Sequence, residues 1–176
     1  MSIASIPQAL AELRAGRPVL VADDESRENE GDVIISAELA TPEWIAWTIR
    51  HTSGFLCAPM TNAIADRLEL PLMVENNEDS LRTAYTVTVD AASGVTTGIS
   101  AADRARTIEV TIDPATGPDD VVSPGHLFPV VVHRGGVLGQ RSVAEASVDL
   151  ARLADCRHLA GVYCHALAAD GSEAGE

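Results

Sequence analysis

Residues 18–39 read PVLVADDESRENEGDVIISAEL: an apolar run, ten residues carrying six acids and one arginine, then a second apolar run. Short apolar runs bounded by turn-forming residues are strand-like. The acidic stretch, residues 23–32, therefore reads as a loop between two strands. A charge run this dense is ordinarily a solvated face, so its meaning depends on what surrounds it.

Working outward, residues 6–15, IPQALAELRA, carry apolar side chains at helical spacing, with Pro7 near the start and Gly16 and Pro18 as stop signals. TPEWIAWTIRHTS, 41–53, opens on a threonine cap and a proline and reads as a helix packed on a sheet. FLCAPM, 55–60, and AYTVTVDA, 84–91, read as strands, and ISAADRARTIEVTI, 99–112, as a capped helix or turn entering another strand. LFPVVVH, 127–133, is a further strand, Gly135-Gly136 a turn, SVAEASVDLARLA, 142–154, a helix, and AGVYCHAL, 160–167, a closing strand. Helices and strands alternate without a repeat of 20–50 residues. The expectation is one α/β domain over residues 1–168 and a flexible, small, acidic tail over 169–176.

The chain has 176 residues and a formal net charge of −14, with no cluster of lysine and arginine, so nucleic acid is not an expected partner. An anionic small molecule still is, because a few convergent arginines make a local positive pocket. No apolar run approaches membrane-spanning length, and the first residues lack the features of a secretory signal, so the expected location is cytoplasmic. Cys57, Cys156 and Cys164 form no CxxC pair and read as buried thiols.

DDESRENEGD, TSGFLCAPM, AYTVTVDAASGVTTGISAADRARTI, PGHLFPV with GGVL, and EASVDLARLA with AGVYC follow one another in an order and spacing that resemble the 3,4-dihydroxy-2-butanone 4-phosphate synthase family. The resemblance covers nearly the whole chain. It implies an α/β (α+β) domain with a mixed sheet flanked by helices, and a homodimer whose active sites lie at the subunit interface. It also implies Mg²⁺ or Mn²⁺ as cofactor and conversion of ribulose 5-phosphate to a four-carbon phosphate with release of formate. Removing a proton beside a ketone leaves an enediolate that a hard divalent cation stabilises, and the later steps need positioned acids and bases.

Carried over by motif, Glu28 is the implied metal-ligating and catalytic glutamate, Arg27 a substrate contact and Asp32 the acid that touches substrate hydroxyls. His126 in PGH is the implied catalytic histidine, and Thr96 and Thr97 line the substrate pocket. Asp103 and Arg104 lie in the matching SAADR piece, where an exposed helical ion pair is the competing reading. Part of the pattern departs. Where the family reads R-x-G-H-T-E-A, this chain reads QRSVAEA, which puts Gln140 at the arginine, Val143 at the second metal ligand and Ala144 at the threonine. The family's C-E pair is Cys164-His165.

Valine has no lone pair, so the implied metal site is incomplete. Ser142 and Glu145 form an S-x-x-E capping box, which assigns Glu145 to the helix start rather than to a metal. Arg141 is placed to reach an anion, and His165 to act as an acid or base in place of a carboxylate. The expected function is the family reaction. The alternatives are a specialised paralogue, of the kind found in secondary metabolism, with a modified enediol, dehydration or rearrangement reaction on a related sugar phosphate or polyhydroxy ketone, and a non-catalytic binding or dimer-partner homologue.

Overall fold

The computed structural model describes residues 3–22, 30–168, 170–172 and 174. Arg27 and Glu28, and most of the acidic stretch, lie outside the described residues. Among the described residues six strands are present: β1 (Val19–Ala22), β2 (Gly31–Ser36), β3 (Cys57–Met60), β4 (Val89–Ala91), β5 (Val121–Val131) and β6 (Gly161–His165). They form one sheet in the order β1-β2-β6-β3-β5-β4. β3 and β5 run parallel and the other neighbours antiparallel, so the sheet is mixed.

Helices cover both faces because alternate residues of the central strands are apolar on both sides. On one face α2 (Pro42–His51), α3 (Asn62–Arg67) and α4 (Ala101–Ile112) bury Ile45, Ala65, Ala105, Ile108 and Ile112 against Leu127, Val162 and Cys164. On the other, α1 (Ile6–Arg14) and α5 (Val143–Leu153) bury Leu13, Ala144 and Val148 against Ile34, Cys57, Val130 and Tyr163. The start of α2 carries the expected cap, the Thr41 hydroxyl accepting from the Trp44 N–H, and at the start of α1 the Ser5 N–H donates to the Gln8 side chain. No helix among the described residues is long and apolar enough to cross a membrane.

Three elements differ from the sequence reading. TIEVTI continues α4 to Ile112 rather than entering a strand, because Ala105, Ile108 and Ile112 fall at helical spacing on the core, and that burial outweighs the β-propensity of the segment. Of residues 84–91 only Val89–Ala91 form a strand, with Tyr85 and Thr86 contributing isolated bridges. β5 begins at Val121, six residues before the apolar run that announces it. Pro124 and Gly125 disguise its first half, and Gly125 is required there: a Cβ would lie 2.0 Å from the Val89 carbonyl carbon of β4. Within the tail, the Ala174 carbonyl accepts the Gly31 N–H at 2.8 Å and the Ala174 N–H donates to the Ala166 carbonyl at 3.1 Å.

Candidate functional site

The sheet register places the two histidines of interest at one end of one face. Cys57 of β3 pairs with Phe128 of β5 and with Tyr163 of β6. His126 lies two residues before Phe128 and His165 two after Tyr163; because β5 is parallel and β6 antiparallel to β3, both steps run toward the N-terminal end of β3. Steps of two keep them on the face of Phe128 and Tyr163. Two inter-strand spacings put their backbones about 10 Å apart. Residues 53–55 run between them, with the Ser53 N–H donating to the His165 carbonyl at 2.8 Å and the Cys164 thiol to the Phe55 carbonyl at 3.2 Å. The Phe55 ring, 4.2 Å from the Phe128 ring between centroids, gives this end an apolar floor.

His126 is held by Asp90, the second residue of β4. Its backbone N–H donates to Asp90 Oδ1 at 3.0 Å, and its Nδ1 lies 2.7 Å from Asp90 Oδ2. Asp90 is buried while the imidazole is 40% exposed, so one side of the ring is fixed and the other reaches solvent. Asp90 carries no sequence motif of its own; the visible signal is a carboxylate closing the alternating run YTVTVD.

Asp103 and Arg104 do not form an exposed helical pair. Both are buried at the start of α4, and they point to different partners. Asp103 accepts from the Thr96 hydroxyl at 2.7 Å, the Thr96 N–H at 3.0 Å and the Gly98 N–H at 3.1 Å. These bonds, the Thr96 hydroxyl first, hold its carboxyl down at about 2. Thr96 is thereby anchored while its exposed neighbour Thr97 faces solvent. The Arg104 Nη1 donates to the Gly54 carbonyl at 3.1 Å, and burial lowers its basicity against the opposing influence of Cys164 and Asp90.

On the other side of residues 53–55 the register pairs Asp32 with His165. His165 Nδ1 lies 2.9 Å from Asp32 Oδ1 and 3.1 Å from Glu30 Oε2. These are contacts of ion-pair length. Asp32 and His165 are thus brought together, and Glu30 joins them, a residue that nothing singles out within the acidic run. Arg141 is exposed, just before the cap of α5. Val143 packs against the apolar cluster beneath α5, and Ala144 is buried within it. Glu145 is buried as well: Oε1 accepts the His133 N–H at 2.8 Å and Oε2 the Ser142 hydroxyl, so of the expected capping box only the half in which the Ser142 hydroxyl accepts the Glu145 N–H, at 3.5 Å, is formed.

The described donor set does not fit a divalent cation. Among the described residues no group of three or more His, Cys, Asp or Glu is placed to hold one. Val143 offers no donor, both Glu145 oxygens are committed, and the imidazole of His165 stands against the two carboxylates that converge. Elsewhere, Cys57 and Tyr85 are pushed up to about 12, burial being the largest cause for each, so this thiol and phenol stay neutral.

Residues 7–176 match the family profile described as 3,4-dihydroxy-2-butanone 4-phosphate synthase. The riboflavin biosynthesis protein RibBA of Salinispora arenicola is 56% identical over 168 residues, 96% of this chain and 40% of the relative. RibBA of Synechocystis is 51% identical over 97% of this chain and 31% of its own length. The chain therefore spans well under half the length of these relatives. Among solved structures, a 3,4-dihydroxy-2-butanone 4-phosphate synthase in complex with two magnesium ions superposes with a TM-score of 0.91 at 43% identity, covering 94% of this chain and 76% of that one. RibBX, a two-domain synthase from A. baumannii, gives 0.93 at 40% identity over 98% of this chain and 51% of its own.

Proposed function

The chain belongs to the 3,4-dihydroxy-2-butanone 4-phosphate synthase family, and we propose that it acts on ribulose 5-phosphate, releasing formate and a four-carbon phosphate. The observation that carries this reading is the His126–Asp90 pair, a solvent-facing imidazole held on one side by a buried carboxylate at the open end of the sheet. A proton beside a ketone is weakly acidic, and its removal needs a base within hydrogen-bond reach. His126 is that base. Asp32 and His165 contact the sugar hydroxyls and move protons in the later loss of water and release of formate. Thr97 and Arg141 supply hydroxyl and guanidinium donors for the phosphate, and Arg27 and Glu28 take the substrate-contact and catalytic roles that the family motif implies.

A divalent cation, when bound by a family member, stabilises the enediolate charge. The described residues of this chain do not fit one. Glu28 and the substrate's own oxygens leave at most a weak site, because Mg²⁺ demands near-ideal octahedral geometry and sheds water reluctantly. The apolar packing of Val143 and the placing of His165 against two acids support a second reading, in which the enediol forms but a related sugar phosphate is carried to a different product. We also read the protein as a cytoplasmic homodimer with sites at the subunit interface. Leu138, 96% exposed just ahead of α5, supports a partner surface there.

The test is incubation of the pure protein with ¹³C-labelled ribulose 5-phosphate, with and without magnesium, following carbon products by NMR. Formate with a four-carbon phosphate in equal amounts is the expected result. A different phosphorylated product would replace the first reading by the second, and unchanged substrate would overturn both.

A further inference from the structure

We propose that Asp90 is a positioning residue for His126: by taking both the backbone N–H and the ring Nδ1–H, its carboxylate holds the imidazole with its proton on Nδ1 and its lone pair on Nε2. The inference rests on the reading of His126 as the base. An ionised carboxylate is an acceptor only, so the ring nitrogen 2.7 Å from Oδ2 is the one that donates. With Oδ1 occupied at 3.0 Å by the backbone N–H, the carboxylate cannot turn without losing both contacts. The lone pair on Nε2 then accepts the substrate's carbon-bound proton. The C–H electron pair stays on the substrate as the enediolate, and the ring becomes an imidazolium whose second proton already faces Asp90.

The surroundings fix Asp90 in turn. The β4–β5 register shifts between Val89 and Asp90, which takes Asp90 out of the regular ladder. Gly98 closes over it: a Cβ there would lie 2.0 Å from Asp90 Oδ2, and its φ of +89° suits glycine. The Gly98 N–H is tied to Asp103, and the next residue of α4, Arg104, brings a buried guanidinium into the electrostatic neighbourhood of Asp90. The first turn of α4 therefore seats the carboxylate that orients the base.

The experiment is long-range ¹H–¹⁵N correlation on the ligand-free protein at a pH where His126 is neutral, read beside kcat and KM for formate release. Wild type shows the proton on Nδ1. In Asp90→Asn the amide oxygen keeps the backbone N–H and the NH₂ group faces Nδ1, which moves the ring proton to Nε2 and lowers kcat about 10²-fold or more with little change in KM. Gly98→Ala, which displaces the carboxylate without removing it, gives a tautomer mixture and a smaller loss of kcat. Wild type protonated on Nε2, or Asp90→Asn and Gly98→Ala variants that keep both the wild-type tautomer and wild-type kcat, would overturn the proposal. A wild type with the Nδ1 proton but no turnover of ribulose 5-phosphate refutes the reaction and leaves the positioning of His126 established.

Discussion

The two histidine–carboxylate groups at the open end of the sheet are built differently. His126 is gripped by one buried carboxylate through two directed bonds, and its partner is seated by a glycine and by the start of α4. His165 instead has its Nδ1 at ion-pair distance from two acids, Asp32 and Glu30. Directed bonds fix which ring nitrogen is basic, whereas an ion-pair contact chiefly balances charge. The first arrangement suits a base that must present one lone pair. The second suits a group that keeps two carboxylates together where the described residues offer a cation no complete site.

The largest expected effect tests the first group. His126→Asn lowers formate release about 10²- to 10⁴-fold, the range for loss of a positioned acid or base, with the folded structure retained by circular dichroism. An effect under about threefold, far below that range, would remove the asymmetry between the two groups. His165→Glu tests the second. It puts a third carboxylate beside Asp32 and Glu30 and lowers stability by about 1–4 kcal/mol, the repulsion of like charges about 4 Å apart near a protein surface. Added magnesium restores much of that loss. Denaturant titration with and without magnesium measures it, and a variant as stable as wild type and indifferent to magnesium would mean that His165 does not balance the two acids.

Glu145→Ala separates scaffold from site. It leaves the buried His133 N–H without its acceptor and frees the Ser142 hydroxyl from the Glu145 carboxylate, for about 2 kcal/mol lower stability, while kcat per folded molecule changes little. Asp103→Asn gives the smallest effect and one that depends on pH. The folded carboxyl titrates at about 2, below its ordinary 3.8, so its stabilisation is present above that ordinary value and lost as pH falls through the folded one. The Tm difference between wild type and variant is therefore largest above about pH 4 and closes toward about pH 2. A difference constant across that range would mean that the bonds from Thr96 and Gly98 act equally on the neutral side chain.

The contrast between the two groups also marks what is legible in the sequence. The alternation of apolar runs and the helix caps at Thr41 and Ser142 follow from local rules, and the elements they predict are present. His126, Asp32 and His165 are visible through their motifs. Asp90 is not, because its role comes from a pairing of β4 with β5 that brings residues 36 positions apart into contact. Arg104 is hidden for a related reason: its neighbour Asp103 invites a local ion pair, but burial turns the two side chains to separate tertiary partners. TIEVTI shows the same limit on the fold, its β-branched residues held in a helix by a core that only the folded chain supplies.

Whether His126 alone takes the first proton is measured most directly by solvent exchange. Ribulose 5-phosphate is incubated in D₂O with wild type, His126→Asn and His165→Gln, and deuterium at the carbon beside the ketone is followed by NMR together with formate. The account predicts that His126→Asn loses both exchange and formate, while His165→Gln keeps exchange and loses formate. Exchange at the wild-type rate in His126→Asn would contradict it.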